Sequence, residues 1–456
     1  MQEAYITLRF PQIYWNTACL CVNAGTLEEN EYVADFMDDE DLEKKKQGVN
    51  YDKIARALGE TIKSGISVAP PKINFAQKEF EPFVKENRIL YSLKALAGVG
   101  DKEIEEIIIN RPFISLKDFL EKTNIKKTAV ISLIKSGAFD DLEGKNRYSI
   151  MEEYIRYISN PKEVLNLRNF AGLIERDMIP EDMDYYRRLF NFNKYIRKKE
   201  FKKDGKLLLD EKASAFLLKN YPTFYSLCYL GDDNYIIADE KKWKKIYDKD
   251  MNIARTWLKD NQKSLLQKYN DFSFKEEWDK YCEGNISKWE MDSMCFYWHD
   301  HELKNANLFK YGADSFSLLS PEPQVDFFYN IKGRQVPIYK LTKIVGTCIG
   351  KNNTKKTFTL LTNDGEVVDI RLSNDHYAFY NKQISELNEE GIKKVKEKSW
   401  FSRGNKLMVV GYRRGNDFVP KKYKNTGVSH RLFLINDIDK QGNLELISER
   451  YSNEEW

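Results

Sequence analysis

Residues 96–139 have the sequence LAGVGDKEIEEIIINRPFISLKDFLEKTNIKKTAVISLIKSGAF. Two compact helix–turn–helix units are predicted here, one on each side of Pro112, because apolar residues recur at helical spacing and each unit has a glycine in its turn. In the first unit, the Gly98–Gly100 turn comes directly before an acidic-then-apolar helix that begins at Asp101. Glycines there allow a left-handed backbone and bring N–H groups to a helix N-terminus, where the helix dipole favours an anion. The stretch therefore predicts a tandem helix-hairpin-helix that binds phosphate.

Such a motif would contact the DNA backbone and no base, so its binding would be indifferent to base sequence. The residues predicted to make these contacts are Gly98, Val99, Gly100, Lys102, Lys126, Lys127, Thr128, Ser136 and Gly137. The alternative is a tight turn between helices that binds no ligand, with the lysines forming a solvated helix face.

The sequence becomes β-like from Tyr339 onward. Runs of alternating apolar residues are separated by turns, and the Asn363-Asp364-Gly365 turn is a strong hairpin signal. Five short strands are predicted, the last at residues 430–438, with a helical insert around residues 377–398 after the third strand. This order matches a small closed β-barrel of the OB type.

The predicted barrel is basic. Residues 338–437 contain 19 Lys plus Arg against 10 Asp plus Glu, a balance of +9, which leaves −6 on the rest of a chain whose net charge is +3. Cations alternating with aromatic rings suit a groove that follows phosphates while the rings stack on unpaired bases. The predicted single-strand contacts are Lys351, Lys355, Lys356, Phe358, Arg371, Arg403, Arg413 and Arg414. In the alternative, the rings fill the barrel and the lysines only keep it soluble.

The remaining composition excludes several classes of protein. No stretch approaches about 20 uninterrupted apolar residues and no signal peptide is apparent, so a cytoplasmic protein that does not enter a membrane is predicted. The six cysteines form no Cys-x-x-Cys pair and are expected to be free thiols, and four histidines are too few for a multi-histidine metal centre. The carboxylates at Asp38–Asp41 and Asp232-Asp233 are expected in solvated loops, so no metal site is predicted in this chain.

Two further segments bear on partners. Residues 4–24 are apolar on nearly every side around Pro11, which predicts two helices with a kink, buried on all faces against a neighbour. Gln262, Leu265 and Leu266 form a Gln-x-x-aliphatic-aliphatic string like the short peptides that dock on sliding clamps. Such strings also arise by chance in amphipathic helices.

Residues 52–147 resemble the bacterial family C replicative DNA polymerase, the DNA polymerase III alpha subunit of the DnaE type. The matching motifs follow one another in register: Gly65–Asn74 (GISVAPPKIN), Ile89–Gly100 (ILYSLKALAGVG), Pro112–Leu120 (PFISLKDFL) and Leu133–Asp140 (LIKSGAFD). Ala4–Leu20 looks like the end of that family's fingers domain. Trp289–Leu303 is similar to the helix that leads into the family's OB domain, with Glu302 at the usual proline position.

With this resemblance the predicted fold class is α+β and multidomain, with a mainly helical N-terminal two-thirds before the OB-type barrel. The predicted domains are a fingers-like helical segment at 1–88, the tandem helix-hairpin-helix at 89–148, a helical connector of unknown role at 149–304, and the OB domain with flanking segments at 305–456.

What the family has and this sequence lacks shapes the functional prediction. The palm's Pro-Asp-x-Asp-x-Asp pattern does not occur in the 456 residues, and neither does the family's His-rich phosphoesterase-like domain. The resemblance therefore implies the DNA-binding C-terminal subunit of a split polymerase, with the catalytic aspartates and their Mg²⁺ in a partner polypeptide. The alternative is a free-standing nucleic-acid-binding or replication-inhibiting protein derived from a polymerase.

Overall fold

The protein is represented by a computed structural model that describes residues 10–25, 49–140, 142, 144–203, 205–231, 235–387, 393–423 and 430–450. The chain divides into two compact units. The discontinuous unit comprises Met1–Tyr154 and Tyr281–Trp456, and the inserted unit comprises Ile155–Lys280.

The α-helices and strands are numbered in chain order. The helices are α1 Gln12–Ala24, α2 Tyr51–Lys63, α3 Asp101–Ile109, α4 Leu116–Lys122, α5 Lys127–Lys135, α6 Arg147–Ile158, α7 Phe170–Glu175, α8 Asp184–Ile196, α9 Glu211–Asn220, α10 Pro222–Tyr225, α11 Glu240–Asp250, α12 Asn252–Asp260, α13 Gln262–Tyr281, α14 Ile286–Met294, α15 Leu308–Tyr311 and α16 Asn374–Asn381. The strands are β1 Ser67–Ala69, β2 Glu81–Phe83, β3 Arg88–Leu90, β4 Lys202–Lys203, β5 Lys206–Leu209, β6 Tyr229–Leu230, β7 Ile236–Asp239, β8 Val325–Ile331, β9 Arg334–Tyr339, β10 Thr342–Asn352, β11 Thr357–Thr362, β12 Val367–Arg371, β13 Ile384–Leu387, β14 Lys393–Glu397, β15 Lys406–Arg414, β16 Asp417–Pro420, β17 Leu432–Ile438 and β18 Leu444–Ile447.

The described part of the first apolar segment is the helix α1. Pro11 lies at its N-cap and starts the helix, a position where the missing N–H of proline costs no hydrogen bond. Leu20 is buried within the chain and Tyr14 and Trp15 are exposed, so burial of these rings against a neighbour stays a prediction. Residues 4–9 and the acidic stretches Asp38–Asp41 and Asp232-Asp233 lie outside the described residues.

The segment around the predicted helix-hairpin-helix combines a small sheet with short helices. Strands β1 and β3 pair in parallel, and β2 pairs antiparallel with β3. Residues 93–98 form bends and turns, so the first unit has a helix only after its glycine turn, whereas α4 and α5 are joined by residues 123–126. The Ser115 side chain accepts a hydrogen bond from the amide of Asp118 and caps α4. The helical N-terminal segment of the predicted fold is thus confirmed.

The C-terminal barrel has five strands with a helix after the third, as predicted. Each strand pairs with the next in the order β10, β11, β12, β16 and β15, and the β10–β15 pairing closes the ring. Strand β12 runs parallel to β16 through Ile370 and Phe418, and α16 lies between β12 and β15 in the chain. A five-stranded barrel with a helix after its third strand is the OB type, which confirms the predicted fold class.

Two details of the barrel were wrong in the prediction. The fifth barrel strand is β16, which follows a tight turn at Gly415, where φ is +61°. Residues 430–438 instead supply β17, which pairs with β15 at its other end and continues the sheet into β18. The helical insert is also shorter than predicted, because α16 ends at Asn381 and a β13–β14 hairpin follows it.

The inserted unit, predicted to be wholly helical, contains a four-stranded sheet in the order β4, β5, β7, β6 among helices α7 to α13. Its core includes Leu207 and Leu209 from β5, Leu217 from α9, and Trp243 from α11, all almost fully buried. Strands of two to four residues between helices carry too few alternations to be recognised from periodicity.

All six cysteines lie outside disulfides, as predicted. In the described ranges no helix has the length and apolar character needed to cross a bilayer.

Candidate nucleic-acid interface

The glycine turn before α3 has the predicted backbone. Gly98 has φ of +80° and a Cβ placed on it would meet no atom within 4 Å, so glycine is required there by conformation and not by crowding. Gly100 is the N-cap of α3 and has an extended backbone. Val99 between them is buried and contributes to the core.

The anion position at the α3 N-terminus is taken by the protein itself. Desolvation acts to raise the pKa of Glu103, but hydrogen bonds from its own amide, Lys126 and the Gly100 amide outweigh that effect and hold the pKa below its ordinary value. A Cβ on Gly100 would lie 2.6 Å from Glu103 Oε2, which shows how closely the carboxylate covers the turn. The Glu103 side chain thus forms one half of a capping box. It accepts the Gly100 amide, which was predicted to bind phosphate.

The first turn of α3 carries a second carboxylate. Asp101 Oδ2 accepts a 2.7 Å hydrogen bond from Lys94 Nζ, and Lys78 Nζ lies 3.6 Å from Asp101 Oδ1. The hydrogen bond from Lys94 is the main reason that the pKa of Asp101 is lowered. Lys102 beside it is exposed. Two acidic groups make this helix end less attractive to phosphate than the glycines alone suggested.

The N-terminus of α5 presents a more open arrangement. Lys126 is the N-cap, has no side-chain capping hydrogen bond, and has 79% of its side chain exposed, with Nζ 3.3 Å from Glu103 Oε1. Thr128 is exposed in the first turn. Lys127 Nζ lies 5.5 Å from the centre of the Tyr281 ring, a cation–π contact that holds its stem.

The Ser136–Gly137 turn is not a donor set for phosphate. Ser136 is fully buried and its hydroxyl donates to the Leu133 carbonyl at 2.9 Å, while the Gly137 amide donates to the Ile134 carbonyl at 3.0 Å. Gly137 has φ of +81°, and a Cβ there would lie 2.6 Å from Asp140 Oδ2. The turn therefore closes α5 against its own neighbours, which corrects the prediction for both residues.

A buried ion network joins the helix-hairpin-helix segment to α14. Arg147 Nη1 lies 2.9 Å from Glu290 Oε1 and Arg147 Nη2 lies 2.7 Å from Asp140 Oδ2, with both Arg147 and Glu290 buried. The Glu290 carboxylate also contacts His299 Nδ1 at 2.6 Å and accepts the amides of Trp298 and His299. Although burial acts to lower it, the pKa of Arg147 is raised by Asp140 and Glu290.

The segment after α14 connects to the barrel through His301 and Glu302. His301 Nδ1 accepts the Leu303 amide at 3.0 Å and Nε2 lies 3.2 Å from the Leu361 carbonyl, and burial lowers the pKa of His301 to about 4. Glu302, at the position of the family's proline, lies 3.2 Å from Lys406 Nζ and accepts the Tyr297 hydroxyl at 2.9 Å. No role could be predicted for these groups, since single charges and histidines have no periodic signal.

Of the predicted barrel contacts, Lys351, Lys355, Arg371, Arg403 and Arg414 are exposed. Lys351 Nζ donates to Asn381 Oδ1 at 2.7 Å, and Lys356 Nζ lies 5.6 Å from the Tyr377 ring centre, both at the end of the β10–β11 hairpin. These cations form the part of the predicted surface that remains open to a phosphate backbone.

Phe358, Arg413 and Arg403 make contacts within the protein. Phe358 is fully buried and stacks on Phe401 in the barrel core at 4.3 Å, so it cannot stack on a base. Arg413 donates to the carbonyls of Phe316 and Leu319 at 3.0 and 2.8 Å. Arg403 lies 4.1 Å above the Tyr51 ring of α2. The alternative in which aromatic rings fill the barrel is correct for Phe358.

The clamp-like string belongs to the core of the inserted unit. Leu265 is buried in that core and Leu266 packs against it, both on α13, which begins at Gln262. A clamp-binding peptide must present its apolar side chains to the clamp. The clamp prediction is therefore wrong for this conformation of α13.

Residues 65–150 match the family described as the helix-hairpin-helix motif. The chain is 38% identical over 459 aligned positions to the probable DNA polymerase YorL of Bacillus subtilis and to a DNA-directed DNA polymerase of Bacillus phage SPbeta, alignments that cover 99% of this chain and 34% of each relative. It is also 38% identical over 131 positions to the DNA polymerase III subunit alpha of Campylobacter jejuni, which covers 27% of this chain and 11% of that protein. The chain is thus related to DNA polymerases and spans about a third of the length of the two relatives that it matches throughout.

Proposed function

We propose that this chain is the DNA-binding portion of a family C DNA polymerase. The helix-hairpin-helix segment holds the backbone of the duplex product, and the barrel holds the single-stranded template. The observation that carries the proposal is the exposed N-terminal turn of α5, with Lys126 and Thr128, within residues that match the helix-hairpin-helix family. Amides and a cation at a helix N-terminus bind a phosphate without reading bases.

The duplex site is therefore centred on α5 in this proposal and not on the Gly98–Gly100 turn. Gly98 and Val99 support α3, whose N-terminus Glu103 covers, while Lys126 can exchange Glu103 for a phosphate. Lys127, next to Lys126 in the sequence, and Lys102, next to Glu103, add positive charge. The single-strand contacts in the barrel are Lys351, Lys355, Lys356, Arg371 and Arg414.

A matched pair of variants tests the duplex site. Lys117 on α4 has the same exposed fraction as Lys126, 79%, so Lys117→Gln removes an equivalent charge outside the proposed site. Lys126→Gln is expected to weaken binding to a fluorescent duplex about three- to tenfold and to lower the salt slope by about 1, while Lys117→Gln changes affinity less than twofold. Equal effects of the two substitutions would remove α5 from the interface.

Catalysis in this proposal comes from aspartates outside these 456 residues, carried with their Mg²⁺ by another polypeptide. The Pro-Asp-x-Asp-x-Asp pattern does not occur in these 456 residues. Purification from the native cell should recover a partner that carries the pattern, and primer extension should require both chains. Recovery of this chain alone, with no gain of primer extension from any co-purifying protein, would favour a free-standing DNA-binding protein instead.

A further inference from the structure

A two-stranded hairpin, β8 and β9, precedes the first barrel strand and pairs only with itself among the described strands. Its turn consists of Lys332 and Gly333, both with positive φ, at +51° and +83°. Two residues in this conformation form the tight turn that matches the twist of paired strands. At the other end, the Lys340 amide donates to the Gln324 carbonyl at 2.8 Å and closes the base of the hairpin.

The hairpin is exposed along most of its length. All seven residues of β8 are exposed, as are residues 334–336 of β9. Phe327, Phe328 and Tyr329 expose 50%, 60% and 58% of their surfaces. An isolated hairpin is at best marginally stable in water, and exposed apolar patches in folded proteins mark binding sites. The rings are therefore available to contact a ligand and are not part of the core.

The charges of the hairpin favour a polyanion. Residues 325–340 contain Lys332, Arg334 and Lys340 against one carboxylate, Asp326. Lys332 and Arg334 are exposed at the tip, beyond the aromatic rings. Protein–protein interfaces are depleted of lysine, whereas surfaces for single-stranded nucleic acid combine cations with stacking rings.

The aromatic row continues toward the barrel. Tyr339, at the base of β9, has its ring centre 4.6 Å from that of Tyr412, and Arg414 lies 6.0 Å from the Tyr339 ring. The barrel itself supplies cations, but its largest rings, Phe358, Trp400 and Phe401, are buried in its core. Rings for stacking on bases are thus found on the hairpin and not at the positions predicted in the barrel.

We propose that the β8–β9 hairpin is a binding arm for single-stranded DNA. Phe327, Phe328 and Tyr329 stack on unpaired bases, and Lys332 and Arg334 contact the phosphates. This inference rests on the proposed function, since it assigns the single-strand site of a chain that binds DNA. Alternation along β8 places Phe328 on the face opposite Phe327 and Tyr329, so a strand can pass along either side of the arm.

The test uses the full chain and two fluorescent probes, an oligo(dT) of about 20 nucleotides, longer than a single stacking site, and a duplex of the same length. The ring variant carries Phe327→Ala, Phe328→Ala and Tyr329→Ala. The control variant carries Val325→Ala and Ile331→Ala, which remove exposed aliphatic groups of the same strand and keep the rings. We expect the ring variant to bind oligo(dT) at least tenfold more weakly and the duplex within twofold of the wild type, and the control to match the wild type on both probes. Thermal unfolding should be unchanged in both, because the altered side chains are exposed.

The outcomes separate the two proposals. If the wild type binds both probes and the ring variant binds oligo(dT) equally well, the arm is not the single-strand site, although the proposed function stands. A ring variant that loses both probes equally would also overturn the assignment, as would one that keeps oligo(dT) binding and converts a dimer to a monomer in light scattering, which would make the hairpin a self-association surface. If the wild type binds neither probe, the proposed function fails as well.

Discussion

At the scale of single residues, Glu290 lies at the centre of the buried ion network in the discontinuous unit. Its buried carboxylate meets Arg147, His299 and two backbone amides. Glu290→Gln should lower the free energy of unfolding by about 3 kcal/mol, because removing one partner leaves the buried Arg147 charge short of compensation. Glu121→Gln, in an exposed pair with Lys117, is the control and should change it by less than about 0.5 kcal/mol. Urea unfolding measures both, and equal stabilities would contradict a structural role for the network.

His301 gives the protein a pH dependence of known sign. Burial holds its pKa at about 4 in the folded protein, below the ordinary value of 6.5, so the unfolded chain binds a proton more readily. The resulting stability is present above pH 6.5 and is lost as the pH falls toward 4, by about 2 kcal/mol between pH 7 and pH 5. His301→Gln should lose less stability than the wild type over that interval in urea unfolding. The prediction fails if wild type and variant have parallel stability profiles.

At the scale of elements, Lys126 at the N-cap of α5 pairs with Glu103 in the first turn of α3, and in the proposed function the same lysine binds a phosphate. Glu103→Gln removes the carboxylate that pairs with Lys126 and covers the α3 amides. The variant should bind duplex DNA about two- to fivefold more tightly, since a competing negative charge worth several tenths of a kcal/mol is gone at the helix N-terminus. Fluorescence anisotropy with a duplex measures the change. Weaker binding by this variant would mean that Glu103 supports the interface instead of masking it.

Elements with a local sequence pattern could be predicted, whereas an element defined by its pairing with distant strands could not. Helix α2 has apolar residues at helical spacing, of which Ile54 and Leu58 are buried and Ile62 is exposed, and such amphipathic periodicity is a local signal in the sequence. The barrel was predicted from alternating runs and the Asp364-Gly365 turn. The fifth strand was not, because β16 has only four residues and is defined by its pairing with β12 and β15. The carboxylate over the α3 turn could have been found, since glutamate at the third helical position is the mark of a capping box.

At the scale of the whole molecule, the net charge conceals an uneven distribution of charge along the chain. The net charge of +3 is the sum of a basic barrel and an acidic remainder. The inserted unit separates Arg147 from Glu290 in the chain, yet these residues meet in the discontinuous unit. Contacts at such sequence separations have no local signal, so neither this ion network nor the burial of Phe358 could be derived from the sequence alone. The stacking rings for single-stranded DNA are consequently proposed on the exposed β8–β9 hairpin instead of in the barrel. The duplex site is proposed at α5 instead of at the first glycine turn.

The measurement that tests the central claim most directly is the salt dependence of DNA binding by the full chain. Two duplexes of unrelated sequence would be titrated at increasing salt and followed by fluorescence anisotropy. Because binding through phosphates releases counterions, the logarithm of the affinity should fall linearly with the logarithm of salt concentration, with a slope of about −0.9 for each phosphate contacted, and the two sequences should behave alike. An affinity that does not change with salt, or no binding to either duplex, would contradict the account.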